Sequence, residues 1–194
     1  FALASLALAM LLSSLGTSIA NVALPTFARE LGVSFQAVQW VVLAYLLSVT
    51  TLVVSVGRLG DLFGRRRLML GGIALFTLAS IACAASSELW MLVAARAVQG
   101  CGAAVMMALS MSLVAAAAPE GRAGRAMGVL GTVSAAGTAL GPSLGGVLIQ
   151  FLGWPSIFLI NVPLGMAAYA LAHRHLPHDV VGIKRPSFDL IGSA

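Results

Sequence analysis

Long apolar runs separated by short polar stretches make up almost the whole of this chain. The runs cover residues 3–27, 38–56, 68–86, 89–117, 124–152 and 157–171. A bilayer's hydrocarbon layer is crossed by a helix of about 20 mostly apolar residues, so each run reads as a membrane-spanning helix. None alternates polar and apolar positions as a membrane barrel strand would over about ten residues. The expected fold is therefore an all-α integral membrane bundle of six spans. Only Ser87 and Glu88 separate the third and fourth runs, which predicts a tight antiparallel pair.

Composition agrees with the pattern. The chain is 60% hydrophobic and 9% charged, with a mean hydropathy of +1.02. Soluble domains run about half apolar and a quarter charged, so lipid must be part of this protein's solvent. The basic residues then set a direction. Arg58, Arg65, Arg66 and Arg67 follow the second run, Arg122 and Arg125 the fourth, and Arg174, Lys184 and Arg185 the sixth. Arg29 alone lies between spans on the other side. This asymmetry predicts that both ends of the six-span unit are cytoplasmic. Trp40, Trp90 and Trp154 all fall at the outer ends of spans, where an aromatic belt is expected. The net charge of +5 then reports topology, not nucleic-acid binding.

The ends and the cysteines add less. The first residues, FALASLALAMLLSSL, are membrane-grade without a basic leader region or clean cleavage site, and SFDLIGSA reads as the start of another element. The expectation is an excerpt of a longer protein, with 1–176 as a six-span bundle and 177–194 as a cytoplasmic linker entering a further helix. Cys83 and Cys101 sit inside apolar runs and read as small buried hydrophobes.

Charge is concentrated in one place, GRLGDLFGRRR at 57–67. Arginines alone would suffice for a topological anchor between spans 2 and 3. Gly57, Gly60 and Gly64 at spacings of three and four would let helix ends approach closely. Asp61 among arginines offers a charge pair that forms in one conformation and breaks in another. The stretch reads as anchor plus gate.

Inside the spans, Arg96 is the one charged side chain placed in the bilayer, where it should face a polar cavity or partner. Gln99, Ala103, Met107 and Ser110 share its helical face. Ser14, Ser18, Asn21 and Pro25 form a similar stripe on span 1, read either as a cavity wall or as interhelical hydrogen bonding. In span 5, Gly137, Gly141, Gly145 and Gly146 surround Pro142, which predicts a kink with close packing. Met106, Met107 and Met111 read as filling. His173, His175 and His178 read as a solvated juxtamembrane cluster, with no metal site completed around them. No intramembrane His, Asp or Glu could pair as acid and base, so the chain does not read as an enzyme.

These motifs carry a resemblance. GRLGDLFGRRR resembles the signature turn of the major facilitator superfamily, G-x-L-a-D-r-x-G-r-k, through Gly57, Leu59, Asp61, Gly64, Arg65 and Arg66, with Leu62 replacing the usual basic residue. LVAARAVQGCGAA at 92–104 is similar to the family's span-4 motif through Arg96, Gln99, Gly100 and Gly102. GTALGPSLGG at 137–146 is similar to the span-5 antiporter signature, and FLINVPLG and NVALP resemble segments of fourteen-span drug:proton antiporters.

The resemblance implies the amino-terminal bundle of such a transporter, built as two inverted three-helix repeats. It implies a gating turn at Gly57, Asp61, Gly64, Arg65 and Arg66, and cavity or coupling roles for Arg96, Gln99, Asn21 and Ser18. It also implies proton-driven efflux of small amphipathic drugs through the cytoplasmic membrane, with a carboxy-terminal half as partner and no cofactor. An uptake symporter or facilitator of a small metabolite is the alternative. Relatives often carry an aspartate where Gly16 stands here, and all six acidic residues lie outside the runs, so the main proton-binding carboxylate is expected elsewhere in the protein.

Overall fold

The computed structural model describes residues 2–117 and 123–176, so expectations for Glu120, Arg122, His178, Asp179, Lys184, Arg185 and Asp189 lie outside the described residues. Among the described residues there are six membrane-length helical spans. They are α1 (Ala2–Glu30), α2 (Phe35–Phe63), α3 (Arg65–Ala84), α4 (Leu89–Ala117), α5 (Ala123–Leu152), and a sixth span formed by α6 (Ser156–Leu159) and α7 (Asn161–His175).

Local chemistry sets the boundaries. Gly32, at φ 64°, ends α1 in the left-handed region that favours glycine. Ser34 caps α2, its Oγ accepting from the Ala37 backbone N–H at 3.3 Å. Gly153, at φ 80°, turns the chain from α5 into the last span. That span is interrupted at Ile160 although its dihedrals stay helical. Pro163 has no N–H to return to the Leu159 carbonyl, so the hydrogen-bond ladder breaks there. Pro142, by contrast, lies inside a single helix running from Ala123 to Leu152.

Two expectations change. The stretch 57–67, whose glycines and charges predict a turn, is almost wholly helical: α2 continues through Phe63 and α3 starts at Arg65. Only Gly64, at φ 90° and ψ 128°, separates them. An L side chain is strained at that φ, so one glycine supplies the whole reversal. Of the three tryptophans, Trp40 and Trp90 are 53% and 66% exposed and suit an interfacial belt, whereas Trp154 is 7% exposed. Its ring packs edge-on against Phe27 at 5.3 Å and Phe158 at 6.3 Å, closing the outer end of the bundle.

The packing repeats itself. α2 lies along α4 as α5 lies along α1, while α3 packs on α4 and α7 on α1 and α3. This exchange of α1–α2–α3 for α4–α5–α7 is the arrangement of two inverted three-helix repeats. Small residues sit at the matching contacts. A Cβ added at Gly100 of α4 would lie 2.5 Å from the Tyr45 carbonyl oxygen of α2. One added at Gly141 of α5 would lie 2.8 Å from Ser18 Cβ and 3.1 Å from the Ile19 nitrogen of α1. In lipid, apolar burial gives helices little reason to associate, so such backbone approach is the main source of attraction.

The interior holds two apolar clusters. One, toward the α2–α3 reversal, includes Leu12, Met69, Ile73, Phe76, Met106 and Leu109. The other, toward the outer ends, includes Ile19, Phe27, Leu92, Trp154, Ile157 and Phe158. Between them lies a layer of buried polar side chains.

Gly141→Leu should force α5 off α1, because the neighbouring atoms include backbone that cannot yield. We expect a loss of about 1–3 kcal/mol or failure to accumulate. Gly146→Leu, which meets open space, should leave the bundle's thermal unfolding unchanged. Equal melting of both variants in detergent would refute this division of the span-5 glycines.

Candidate functional site

The buried polar layer is organised around Arg96. Its α4 position places it at the crossing of α1, α2 and α4, and it has no exposed surface. The guanidinium donates through Nε to the Val41 carbonyl at 3.1 Å, through Nη2 to the Gly16 carbonyl at 3.1 Å, and through Nη1 to Gln99 Oε1 at 2.6 Å. Its carbon sits 4.1 Å from the Tyr45 ring centroid and 5.8 Å from that of Phe158. Tyr45 is itself fixed, donating its hydroxyl to the Ser13 carbonyl at 2.9 Å.

No carboxylate takes part. Among the described residues the acidic side chains are Glu30, Asp61 and Glu88, and all three are exposed. The charge is instead held by carbonyl dipoles, an amide and aromatic faces. A carbonyl has two lone pairs, so Gly16 and Val41 can accept from Arg96 and still keep their helical bonds.

Gln99 passes the network on. Its Nε2 donates to Ser80 Oγ at 2.7 Å, and Ser80 donates to the Phe76 carbonyl at 2.8 Å. Cys83 Sγ lies 3.9 Å from Gln99 Oε1. Arg96 and Gln99 were expected to face a cavity, yet both are enclosed by neighbouring helices. Cys83 is a free buried thiol, as expected, whereas Cys101, also free, is only half-buried.

The span-1 stripe divides. Ser14 Oγ meets Ser134 Oγ at 2.6 Å, and Ser18 donates to the Gly137 carbonyl at 3.3 Å. These bonds join α1 to α5, where Gly137, Gly141 and Gly145 are buried and Gly146 meets open space. Asn21 and Pro25, further along, are exposed, and Asn21 Nδ2 donates to the Thr17 carbonyl at 3.3 Å. Asn21 is thus the polar member of the stripe that lies at the surface.

At the other end, Asp61 and Arg65 form an ion pair across Gly64, with Arg65 Nη2 at 3.0 Å and Nε at 3.2 Å from Asp61 Oδ1. The side chains are 65% and 38% exposed respectively. Gly60 lets α2 approach α4, for a Cβ there would lie 2.9 Å from Leu109 Cδ2, whereas Gly57 meets open space. Arg66 Nη2 donates to the His173 carbonyl at 2.6 Å, in the last turn of α7. This ties the charged reversal to the end of the last span, where a cation also suits the helix dipole.

Sequence reasoning found Arg96 and Gln99 but not their partners. Tyr45 and Ser80 look like ordinary span residues, and the acceptors at Gly16 and Val41 are backbone atoms with no sequence signal. Gly16 was noticed for the side chain it lacks; its carbonyl is what Arg96 uses.

A model of the Major Facilitator Superfamily matches residues 6–189. The chain is 39% identical over 181 residues to the riboflavin transporter RibZ of Clostridioides difficile (strain 630), covering 93% of this chain and 40% of that protein. It is 44% identical over 172 residues to the methylenomycin A resistance protein of Bacillus subtilis (strain 168), covering 88% and 37%. It is 45% identical over 148 residues to the multidrug resistance protein Stp of Mycobacterium tuberculosis (strain CDC 1551 / Oshkosh), covering 76% and 28%. The chain therefore spans at most about two-fifths of the length of these curated relatives. The fold matches the proton:xylose symporter XylE bound to 6-bromo-6-deoxy-D-glucose with a TM-score of 0.81 at 16% identity, over 92% of this chain and 44% of that one. With the inverted repeats, the buried arginine and the charged α2–α3 reversal in place, these likenesses show that the chain belongs to the Major Facilitator Superfamily and is part of a multi-pass membrane protein.

Proposed function

We propose that this chain is the six-span amino-terminal bundle, residues 1–176, of a secondary active exporter of small amphipathic drugs driven by proton influx. Residues 177–194 are its linker toward further spans. The protein lies in the cytoplasmic membrane with the amino terminus and linker cytoplasmic, as the basic residues indicate. A carboxy-terminal half completes the molecule, and the two halves rock about a midplane site. Neither a cofactor nor nucleic acid enters the mechanism, and the chain is not an enzyme.

The Arg96 network is the observation that carries this reading. A cation at mid-bundle, held without a carboxylate, leaves a positive potential for a mobile counter-charge to answer. Arginine is effectively always protonated, so it cannot itself carry the transported proton. The titrating carboxylate belongs to the remainder of the protein, and Asn21 with the exposed face of α1 contributes to the substrate pathway. The names of the methylenomycin A and multidrug resistance relatives favour efflux of drugs. RibZ, a riboflavin transporter by name, keeps metabolite transport as the second reading.

Full-length protein in everted membrane vesicles decides between them. Export predicts uptake of amphipathic dyes into the vesicles on acidification of the lumen, abolished by a protonophore. Riboflavin-class movement that ignores the dyes would favour the second reading.

Asp61→Asn tests the gate. The pair is exposed and contributes about 0–1 kcal/mol, so melting should hardly move. Dye efflux should nonetheless fall at least about tenfold, since the pair must re-form in each cycle. Unchanged efflux at matched expression would reduce the reversal to an anchor.

Arg96→Lys tests the buried network. Lysine keeps the charge but loses the planar fork that reaches Gly16, Val41 and Gln99 together. We expect loss of efflux together with a destabilisation of about 2–3 kcal/mol. Wild-type melting and efflux in the variant would mean that charge alone suffices.

A further inference from the structure

Asn161, from the FLINVPLG segment, is the first residue of α7, and its side chain is fully buried. Neither Nδ2 nor Oδ1 has a hydrogen-bond partner among the described residues. A primary amide offers two donors and an accepting oxygen, and burying it dry is strongly unfavourable. An aliphatic residue of similar volume would avoid that penalty. The amide therefore needs a polar partner from outside the helices themselves.

The neighbouring turns show what is in reach. One turn along α7, a Cβ at Gly165 would lie 3.2 Å from Thr77 Cβ of α3, so the glycine seats the Thr77 side chain directly against the α7 backbone. They run antiparallel, so with Gly165 against Thr77 the next turn outward on each helix brings residues 161 and 80–81 to the same level, where α6 also packs on α3. Ser80 Oγ already accepts from Gln99 and donates to the Phe76 carbonyl, which leaves one lone pair uncommitted. Phe158, one turn before Asn161, has its ring beside the Arg96 guanidinium. The polar chain from Arg96 through Gln99 to Ser80 thus leads to Asn161 without a direct bond to it.

We propose that Asn161 and Ser80 together hold a buried water molecule. The water donates to Asn161 Oδ1 and to the remaining lone pair of Ser80 Oγ, and accepts from Asn161 Nδ2. Three such bonds are what a structural water in a protein interior typically makes. With this water in place, the Arg96 network reaches every described span except α5, and it attaches to the last span close to its break before Pro163. The site is independent of which substrate the protein carries, and it holds under either transport reading.

The test is X-ray radiolysis of the full-length protein with mass-spectrometric readout, in which a bound water oxidises the side chains beside it. Phe158 is 1% exposed and should stay unmodified in a dry core. With the water present, Phe158 should label about tenfold faster than the equally buried and more reactive Met106. Asn161→Leu should cut Phe158 labelling at least about fivefold and leave Met106 unchanged. Ser80→Ala, which removes the water's other ligand with little change of volume, should do the same and serves if Asn161→Leu does not accumulate. Protected Phe158 in the wild type overturns the proposal. So does labelling that survives in whichever variant folds.

Discussion

A guanidinium cation sealed inside a helical bundle, with no carboxylate beside it among the described residues, is the constraint on which the rest of this structure depends. Removing a charge from water without pairing it costs several kcal/mol even after relaxation. Arg96 is tolerated because its planar fork finds two backbone carbonyls and an amide at once, with Tyr45 beneath it. Those acceptors belong to α1, α2 and α4, so the position of three helices is tied to one side chain. Any relative shift of these helices would stretch all of these bonds at once.

Carbonyls can serve only if backbones come close, and the small residues provide that. Gly100 allows α4 to press against α2 at Tyr45, one turn from the Val41 carbonyl that Arg96 uses. A side chain at position 100 would separate the helices and lengthen that bond. The Gly137–Gly141–Gly145 row seats α5 on α1 in the equivalent place of the second repeat. Gly100 in one repeat and the glycine row in the other serve the same end. In lipid, where apolar contact between helices gains little over contact with acyl chains, backbone approach is what fixes geometry.

Much of this was legible in the sequence, because membrane spans depend on run length and arginine is conspicuous in an apolar helix. All six spans appear where the runs predicted them, and Arg96 and Gln99 do share an inward face. What escaped was set by three-dimensional neighbours. Trp154 looked interfacial by depth, yet Phe27 and Phe158 give its ring a buried seat. The stretch 57–67 looked like a turn because of its glycines and charges, but only Gly64 has the φ that breaks a helix. The serines of span 1 could not be divided in advance, since only the position of α5 decides that Ser14 and Ser18 bond across to it while Asn21 bonds back to its own helix. Backbone acceptors leave no mark in a sequence at all.

The two charged sites differ in strength in a way that suits a moving machine. The Asp61–Arg65 pair is exposed, spans a single hinge glycine, and is worth at most about 1 kcal/mol, so thermal energy and a modest change of partner can open it. The Arg96 network is desolvated and bonded on several sides, and opening it would expose groups that cost several times more. Contacts of the first kind can be exchanged at little cost, whereas those of the second hold their helices in place. Among the described residues the interior is thus held at Arg96, and the α2–α3 reversal, tied to α7 through Arg66 and His173, is where polar contacts open most cheaply.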